Sequence, residues 1–275
     1  MKIAICNETF QNWPLDKAFR YARELGYEGI EFAPFTLGKD ATEVSAEKRQ
    51  EVCELLKKYQ LDSIGVHWLL AKTTGYYLTS PDPTVRDRTT EYFIQLAQLC
   101  HDLGGKVMVL GSPDQRNLLD GVTHDQALEY AADVIRGTTQ DLQRLGVVIA
   151  LEPLGPAEGN FLLTAESGIQ LAKMIDSPNV RLHLDVKAMS SETKPIPEII
   201  HASADYLEHF HTNDANKQGP GMGDIDFVPI LQALNDINYQ GWLSVEVFDY
   251  EPGVERLASE SINYLKSCLD AVSRS

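Results

Sequence analysis

A chain of 275 residues with 43% hydrophobic and 23% charged side chains can bury a full core, which excludes a disordered polymer. Forty acidic against 24 basic residues give a net charge of −16 and a pI near 4.8. That balance argues against a sequence-independent grip on nucleic acid, and against an anionic membrane surface, because both need Lys and Arg. The four cysteines, Cys6, Cys53, Cys100 and Cys268, are scattered without metal or disulfide spacing. The chain opens on the strand-like Met1-Lys2-Ile3-Ala4-Ile5 and has no run of ~18 apolar residues, so the expected location is the cytoplasm.

Short β-branched runs alternate with longer amphipathic segments along the chain, and no linker-like tract separates them. The predicted strands are Lys2 to Asn7, Gly29 to Pro34, Asp62 to Leu69, Lys106 to Gly111, Val147 to Pro153, Val180 to Val186, Leu207 to Asn213 and Trp242 to Phe248. The helices that follow them are Leu15 to Leu25, Ala46 to Tyr59, Val85 to Leu103, Asp125 to Leu145, Ala165 to Ile175, Ile196 to Ala204, Phe227 to Ile237 and Val254 to Leu269. Gly26, Gly104 and Gly146 stand just past helix ends, where a left-handed cap is wanted. Eight units of about 34 residues match the ~30 or more that a βαβ crossover occupies. Strict alternation implies a parallel sheet with helices outside. The first strand carries no glycine-rich nucleotide fingerprint, which favours a closed (β/α)8 TIM barrel over an open sheet. The chain is expected to form a single α/β domain over residues 1–275.

Active sites of parallel barrels lie at the C-terminal strand ends. Four consecutive predicted strands end in Glu152, Asp185, His211 and Glu246, at spacings of 33, 26 and 35 residues, each about one βα unit. Such side chains converge on one point from neighbouring staves. Asp, Glu and His make up about 17% of the chain, so with three candidate positions per end chance fills four successive ends roughly 3 times in 100. Three carboxylates and an imidazole are a hard oxygen and nitrogen set suited to one divalent ion, Mn²⁺ first, with Mg²⁺, Co²⁺ or Zn²⁺ as alternatives. Without a cation these carboxylates would repel, and the apolar residues before them make an unpaired charge expensive. His183 and His209 lie two residues before a ligand, share its face, and are expected as hydrogen-bonded imidazoles behind it.

At these residues the sequence resembles a known family. Leu151-Glu152-Pro153-Leu154, Leu184-Asp185-Val186, His209-Phe210-His211-Thr212-Asn213-Asp214, Gly219-Pro220-Gly221-Met222-Gly223-Asp224-Ile225-Asp226-Phe227 and Gly241-Trp242-Leu243-Ser244-Val245-Glu246 carry the likeness. They resemble the xylose-isomerase-like barrel superfamily of sugar phosphate isomerases and epimerases, most closely its ketose 3-epimerase branch (D-psicose and D-tagatose 3-epimerases). The resemblance implies the same four metal ligands that strand position suggests. It also implies that Glu152 and Glu246 double as the catalytic acid/base pair, and that Glu158 contacts the sugar near its carbonyl end. Two positions depart from the branch: Ala188 replaces a His three residues after the metal-binding Asp, and Lys217 replaces an Arg six residues after the metal-binding His. Lys187 and Lys217 are the nearest cations left to orient that end, which predicts a substrate other than a plain free hexulose.

Other mouth residues carry weaker signals. His67 and Trp68 end the third strand, where an aromatic beside a polar group suits a sugar ring. Glu31 ends the second and is expected to accept from a sugar hydroxyl. Cys6 ends the first without a neighbouring base and reads as a small buried residue.

A proton α to a sugar carbonyl is too weakly acidic for an unaided carboxylate. A divalent ion on the carbonyl and adjacent hydroxyl oxygens stabilises the ene-diolate by several kcal/mol, after which carboxylates suffice as bases. The expectation is a cytoplasmic, metal-dependent isomerase or epimerase of a small-molecule sugar, without nucleic-acid or membrane partners, and homo-oligomeric by family habit. β-Elimination shares the first step, so a lyase or dehydratase acting on a keto-inositol or 3-keto sugar is the alternative. An abasic-site endonuclease on the same barrel needs more ligands, for three zinc ions, and a basic face that a charge of −16 does not supply.

Overall fold

In the computed structural model, which describes residues 1–274, the alternating runs form eight parallel strands closed into a barrel in chain order. These are β1 (Lys2–Cys6), β2 (Gly29–Phe32), β3 (Asp62–Val66), β4 (Val107–Leu110), β5 (Val148–Leu151), β6 (Val180–Asp185), β7 (Leu207–Thr212) and β8 (Trp242–Val245). The last strand pairs back onto the first through Lys2 opposite Trp242 and Ile5 opposite Val245. Each strand ends one to three residues earlier than its apolar run suggests, because the final residues leave the ladder to build the mouth.

Around the sheet lie α1 (Leu15–Leu25), α2 (Ala46–Tyr59), α3 (Pro83–Asp102), α4 (His124–Arg136), α5 (Thr139–Leu145), α6 (Ala165–Ile175), α7 (Val186–Met189), α8 (Ile196–Ala202), α9 (Phe227–Asp236) and α10 (Val254–Arg274). Their starts are set by side-chain caps: Ser45 on Lys48, and Thr123 with Gln126 in a reciprocal pair. Gly26, Gly104 and Gly146 adopt the left-handed conformation expected of them, at φ 95°, 81° and 66°.

The expected single helix from Asp125 to Leu145 is two. It breaks at Gly137 and Thr138, where the Thr138 hydroxyl donates to the Ile135 carbonyl at 2.6 Å and competes with the helical ladder. The short α7 was absent from the sequence reading altogether. It starts because the Asp185 carboxylate caps it, accepting from the Ala188 amide at 2.7 Å.

Apolar side chains of both sheet faces and the inward helix faces merge into one core that runs from Ile3 to Cys268. Two irregularities interrupt the otherwise even register. One lies between Ile30 and Glu31 on β2, the other between Leu182 and His183 on β6. Such shifts re-aim side chains, and here they fall at residues that turn towards the mouth.

The closest backbone approach is at Gly65, where an added Cβ would run into the Val107 carbonyl on the neighbouring strand. Backbone cannot move aside as a side-chain tip can, so Gly65→Ala is expected to cost at least about 3 kcal/mol in urea unfolding, at or above the usual overpacking range. A loss under about 1 kcal/mol would show that β3 and β4 separate easily.

Candidate active site

The loop side of the barrel gathers an unusual quantity of buried charge. Glu152 leaves β5 with its amide donating to the Leu110 carbonyl at 3.2 Å. Its own carbonyl accepts from Arg116 Nη1 at 2.7 Å, and the same guanidinium nitrogen reaches the Leu110 carbonyl at 3.0 Å. Gly111 makes room for the Glu152 carboxylate, since a Cβ there would overlap Glu152 Oε2. Asp185 closes β6, held by the Ala188 amide and by Asn213 Nδ2, while Asn213 Oδ1 accepts from the Lys187 amide at 2.8 Å. His211 is the penultimate residue of β7, and Glu246 follows β8.

Between these groups runs an alternating chain of carboxylates and imidazoles. Glu8 Oε2 lies 2.9 Å from His67 Nε2, and His67 Nδ1 lies 3.1 Å from Glu246 Oε1. Glu246 Oε2 lies 3.0 Å from His211 Nδ1, and His211 Nε2 lies 3.1 Å from both Glu31 oxygens. Glu31 Oε2 then meets His209 Nε2 at 2.9 Å. All six residues are buried. Trp68 adds its indole N–H to Glu246 Oε1 at 2.9 Å.

The electrostatics divide in two. Inside the chain, burial would raise the Glu246 carboxyl, but the charge of His211 and the hydrogen bonds from His211 and His67 outweigh it and hold Glu246 well below the usual range. Glu31 behaves likewise: burial opposes, and His209 and His211 win. His67 and His211 are raised well above ordinary imidazole, the neighbouring carboxylates overcoming burial. Outside the chain the compensation is too weak to overcome burial. Burial, with the charges of Glu246 and Asp185 added, pushes Glu152 up to about 8. Burial raises Asp185 too, against the pull of Lys187.

Each residue singled out from sequence has a definite place. Ligand atoms of Glu152, Asp185 and His211 lie, with His183, all within 4.8 Å of one another, and Glu246 adjoins through His211. His183 packs edge-on against the His211 ring at 4.1 Å, and both its nitrogens lack a hydrogen-bond partner. Burial and the cationic His211 and His209 keep it well below the ordinary imidazole range, so it offers a free lone pair. A surplus of carboxylate beside an unpartnered neutral imidazole is what a divalent cation relieves, so the donor set fits such an ion.

Glu158 and Lys187 form a 2.6 Å ion pair at the rim, and the Lys187 ammonium rests 4.0 Å from the centre of the Phe248 ring. Glu31, expected as a hydroxyl acceptor at the mouth, is instead completely buried beneath His211, because two imidazoles claim its oxygens. The expected cationic pair also dissolves. Lys187 is neutralised by Glu158, while Lys217 is exposed and serves through its carbonyl, which accepts the amides of Phe248 and Asp249. Cys6 is fully buried, its thiol raised well above ordinary by that burial, as a small core residue would be. Sequence reading missed Glu8, Arg116 and Asn213. Of these only Asn213 carried a signal, two residues beyond His211 on the same face.

Residues 19–268 match the model of a family described as xylose isomerase-like TIM barrel. The chain belongs to this family. It is 30% identical to D-psicose 3-epimerase of Ruminiclostridium cellulolyticum over 176 residues, a stretch covering 62% of this chain and 59% of that enzyme. It is 24% identical to 3-dehydro-D-guloside 4-epimerase of Escherichia coli K12 over 279 residues, covering 98% of this chain and 100% of that one. Among solved structures, D-psicose 3-epimerase in the presence of D-fructose superposes with a TM-score of 0.86 over 98% of this chain and 99% of the other, at 21% identity, and so shares the fold.

The raised Glu152 sets a pH dependence. The folded protein holds a proton there that the unfolded chain releases near the ordinary value of 4.5, so between about 4.5 and 8 folding binds protons and stability falls as pH rises. The raised His67 and His211 act in the same direction above about pH 6.5. Below about pH 6.5 the depressed His183 acts the opposite way, so chelator-treated protein should lose thermal stability steadily from about pH 6.5 to 8, and Glu152→Gln should flatten the loss. A melting temperature independent of pH from about 6.5 to 8, or one that rises, contradicts this electrostatic picture.

Proposed function

We propose that the protein is a divalent-metal-dependent sugar epimerase, inverting a carbon next to a ketose carbonyl through an ene-diolate. The observation that carries this reading is the pair Glu152 and Glu246. The two follow strands three staves apart in the closed barrel, flank His211, and have proton affinities pushed in opposite directions. Those opposed affinities belong to the ion-free site; with a divalent ion bound, it is the placement of two carboxylates three staves apart that lets one act as base and the other as acid. Membership of the family supports the reading, as do relatives named as epimerases at two different carbons.

Glu152, Asp185, His211 and Glu246 would hold the ion, which supplies Lewis acidity towards the substrate's carbonyl and neighbouring hydroxyl oxygens. Glu246, kept ionised by His67, His211 and the Trp68 N–H, takes the α proton from one side. Glu152, across the mouth, returns a proton to the other face of the same carbon, and the roles exchange in the reverse reaction. The Glu158 and Lys187 pair orients substrate hydroxyls at the rim, each partner limiting the mobility of the other. An eliminating lyase finds no comparable support, since the curated relatives described above are epimerases.

No helix among the described residues is long and apolar enough to cross a membrane. The four cysteines are free, as a reducing compartment keeps them, and we place the protein in the cytoplasm.

The reaction is tested by NMR on keto sugars in D₂O. The manganese-loaded protein should exchange the α hydrogen, chelation should abolish the exchange, and Mn²⁺ should restore it. Glu152→Gln and Glu246→Gln should each lower the rate by at least ~10²-fold. Exchange that survives chelation, or both Gln variants turning over normally with metal bound, refutes the proposed chemistry.

A further inference from the structure

We infer that the substrate is a keto sugar joined to a second sugar ring, and that a cleft beside Trp68 is the subsite for that ring. The inference rests on the reaction proposed above. The space between Glu152, Glu246 and Phe248 is only about 50 Å³, room for about two water-sized groups at ~30 Å³ each. It takes the reacting carbons and little else. Trp68, Ser112 and Pro113 wall both this chamber and an adjoining cleft of about 690 Å³. At ~30 Å³ per water-sized group, the carbinol arm of a free hexulose fills a small part of such a cleft. A volume of that order belongs to the ~300–1,000 Å³ range of complete small-molecule sites.

The lining identifies the occupant. Trp68 and Tyr250 line it with aromatic rings, and Phe35, one face already under the Lys72 ammonium, stands edge-on to Trp68 at 6.3 Å. Gln11, Asn12 and Gln115 add neutral side-chain amides to the same lining, whereas the unpartnered Glu8 Oε1 is sealed from solvent beside His67. Ring faces for C–H groups beside neutral amides for hydroxyls are what a saccharide needs. A lipid chain would cover the amides of Gln11, Asn12 and Gln115 without offering them a hydrogen bond. An anionic group would meet Glu8 and Asp114, and Lys72 already lies 3.7 Å over the centre of the Phe35 ring.

Backbone conformation points to the same place. Nine non-glycine residues among those described have positive φ, and Gln11 (49°), Trp68 (53°), Lys72 (61°) and Ser112 (34°) all line this cleft. Strain of ~1–3 kcal/mol per residue persists where surrounding structure over-determines it, commonly at ligand clamps. Four such residues on three different loops around one cleft make the clustering hard to ascribe to a single awkward turn.

The test is calorimetric and needs no turnover. Manganese-loaded protein is titrated with D-fructose and with fructose carrying a glucosyl or galactosyl ring: turanose, maltulose, lactulose and isomaltulose. At least one disaccharide should bind tenfold or more tighter than fructose, and Phe35→Ala should cancel that difference. Tyr250→Ala, on another loop, should do the same and guards against one variant failing to fold. Fructose binding as tightly as every disaccharide, no disaccharide binding, or a preference that survives both variants overturns the subsite. Exchange of the α hydrogen is followed in parallel. A disaccharide preference without exchange on any sugar defeats the proposed reaction and leaves the subsite, whereas exchange on fructose without the preference does the reverse.

Discussion

His211 stands between two carboxylates, and the rest of the mouth depends on that arrangement. Burying Glu8, Glu31 and Glu246 near one another would cost several kcal/mol per ion if each were alone. His67, His211 and His209 interleave with them, and Glu31 and Glu246 are held ionised by imidazole neighbours, whereas burial outweighs His67 at the outer Glu8 and raises its carboxyl. The compensation is local and therefore stops where the series stops. Glu152 and Asp185 lie beyond it, share no imidazolium of their own, and carry raised proton affinity as the result. The polar floor of the barrel thus has a neutralised side and a side with carboxylate to spare. A cation placed among Glu152, Asp185, His211 and Glu246 would displace the His211 proton, since a ligating imidazole must be neutral, and supply the balancing charge in its place.

The backbone is adjusted to deliver this pattern. The register shifts opposite Glu31 and His183 put the extra residue on the partner strands, Ile64 on β3 and Glu208 on β7, three residues before His67 and His211 respectively. Asp185 cannot rotate away, because its two oxygens are committed to the Ala188 amide and to Asn213. Glu152 is fixed by its main chain, through the buried Arg116 that joins its carbonyl to that of Leu110. These are directional hydrogen bonds to groups that have no water to fall back on, so displacing the Asp185 carboxylate or the Glu152 main chain leaves a buried partner unsatisfied.

What could be read from the sequence follows from the range of the physics. Period-two apolar runs report burial on a strand, which is why the barrel and the positions of Glu152, Asp185, His211 and Glu246 at successive strand ends are legible without coordinates. The depth of a strand-end residue is not periodic information. Glu31 and His67 end neighbouring strands, yet one is sealed beneath the floor and the other bridges two carboxylates in its wall, a difference made by the register shift after Ile30. Glu8 sits in a 3-10 turn after β1, where no pattern distinguishes it from a surface acid. Arg116 lies in a loop and is buried for the sake of two carbonyls, a demand that tertiary structure alone creates. The break between α4 and α5 is a third case, since Gly137 and Thr138 are tolerable inside a helix until the alternative bond of the Thr138 hydroxyl is available.

The same accounting bears on the charge of the substrate. Two cations, Lys187 and Arg116, lie close to Glu152 and Glu158. Lys187 is matched by Glu158 and covered by Phe248, and Arg116 is spent on main-chain carbonyls. Arg116 keeps an unpartnered Nη2 but is sealed from solvent, so neither side chain reaches a phosphate without disturbing buried structure; Lys217 is on the surface, and Lys72 lies out in the adjoining cleft over Phe35 rather than at the reacting carbons. Beyond contact distance a net charge of −16 disfavours anions, over a range that salt limits to roughly 8 Å. A phosphorylated sugar would therefore enter against the field and find no cation free at the end of the path. An uncharged sugar meets neither obstacle, and its hydroxyls can use the carboxylate oxygens and indole edge that the mouth already presents.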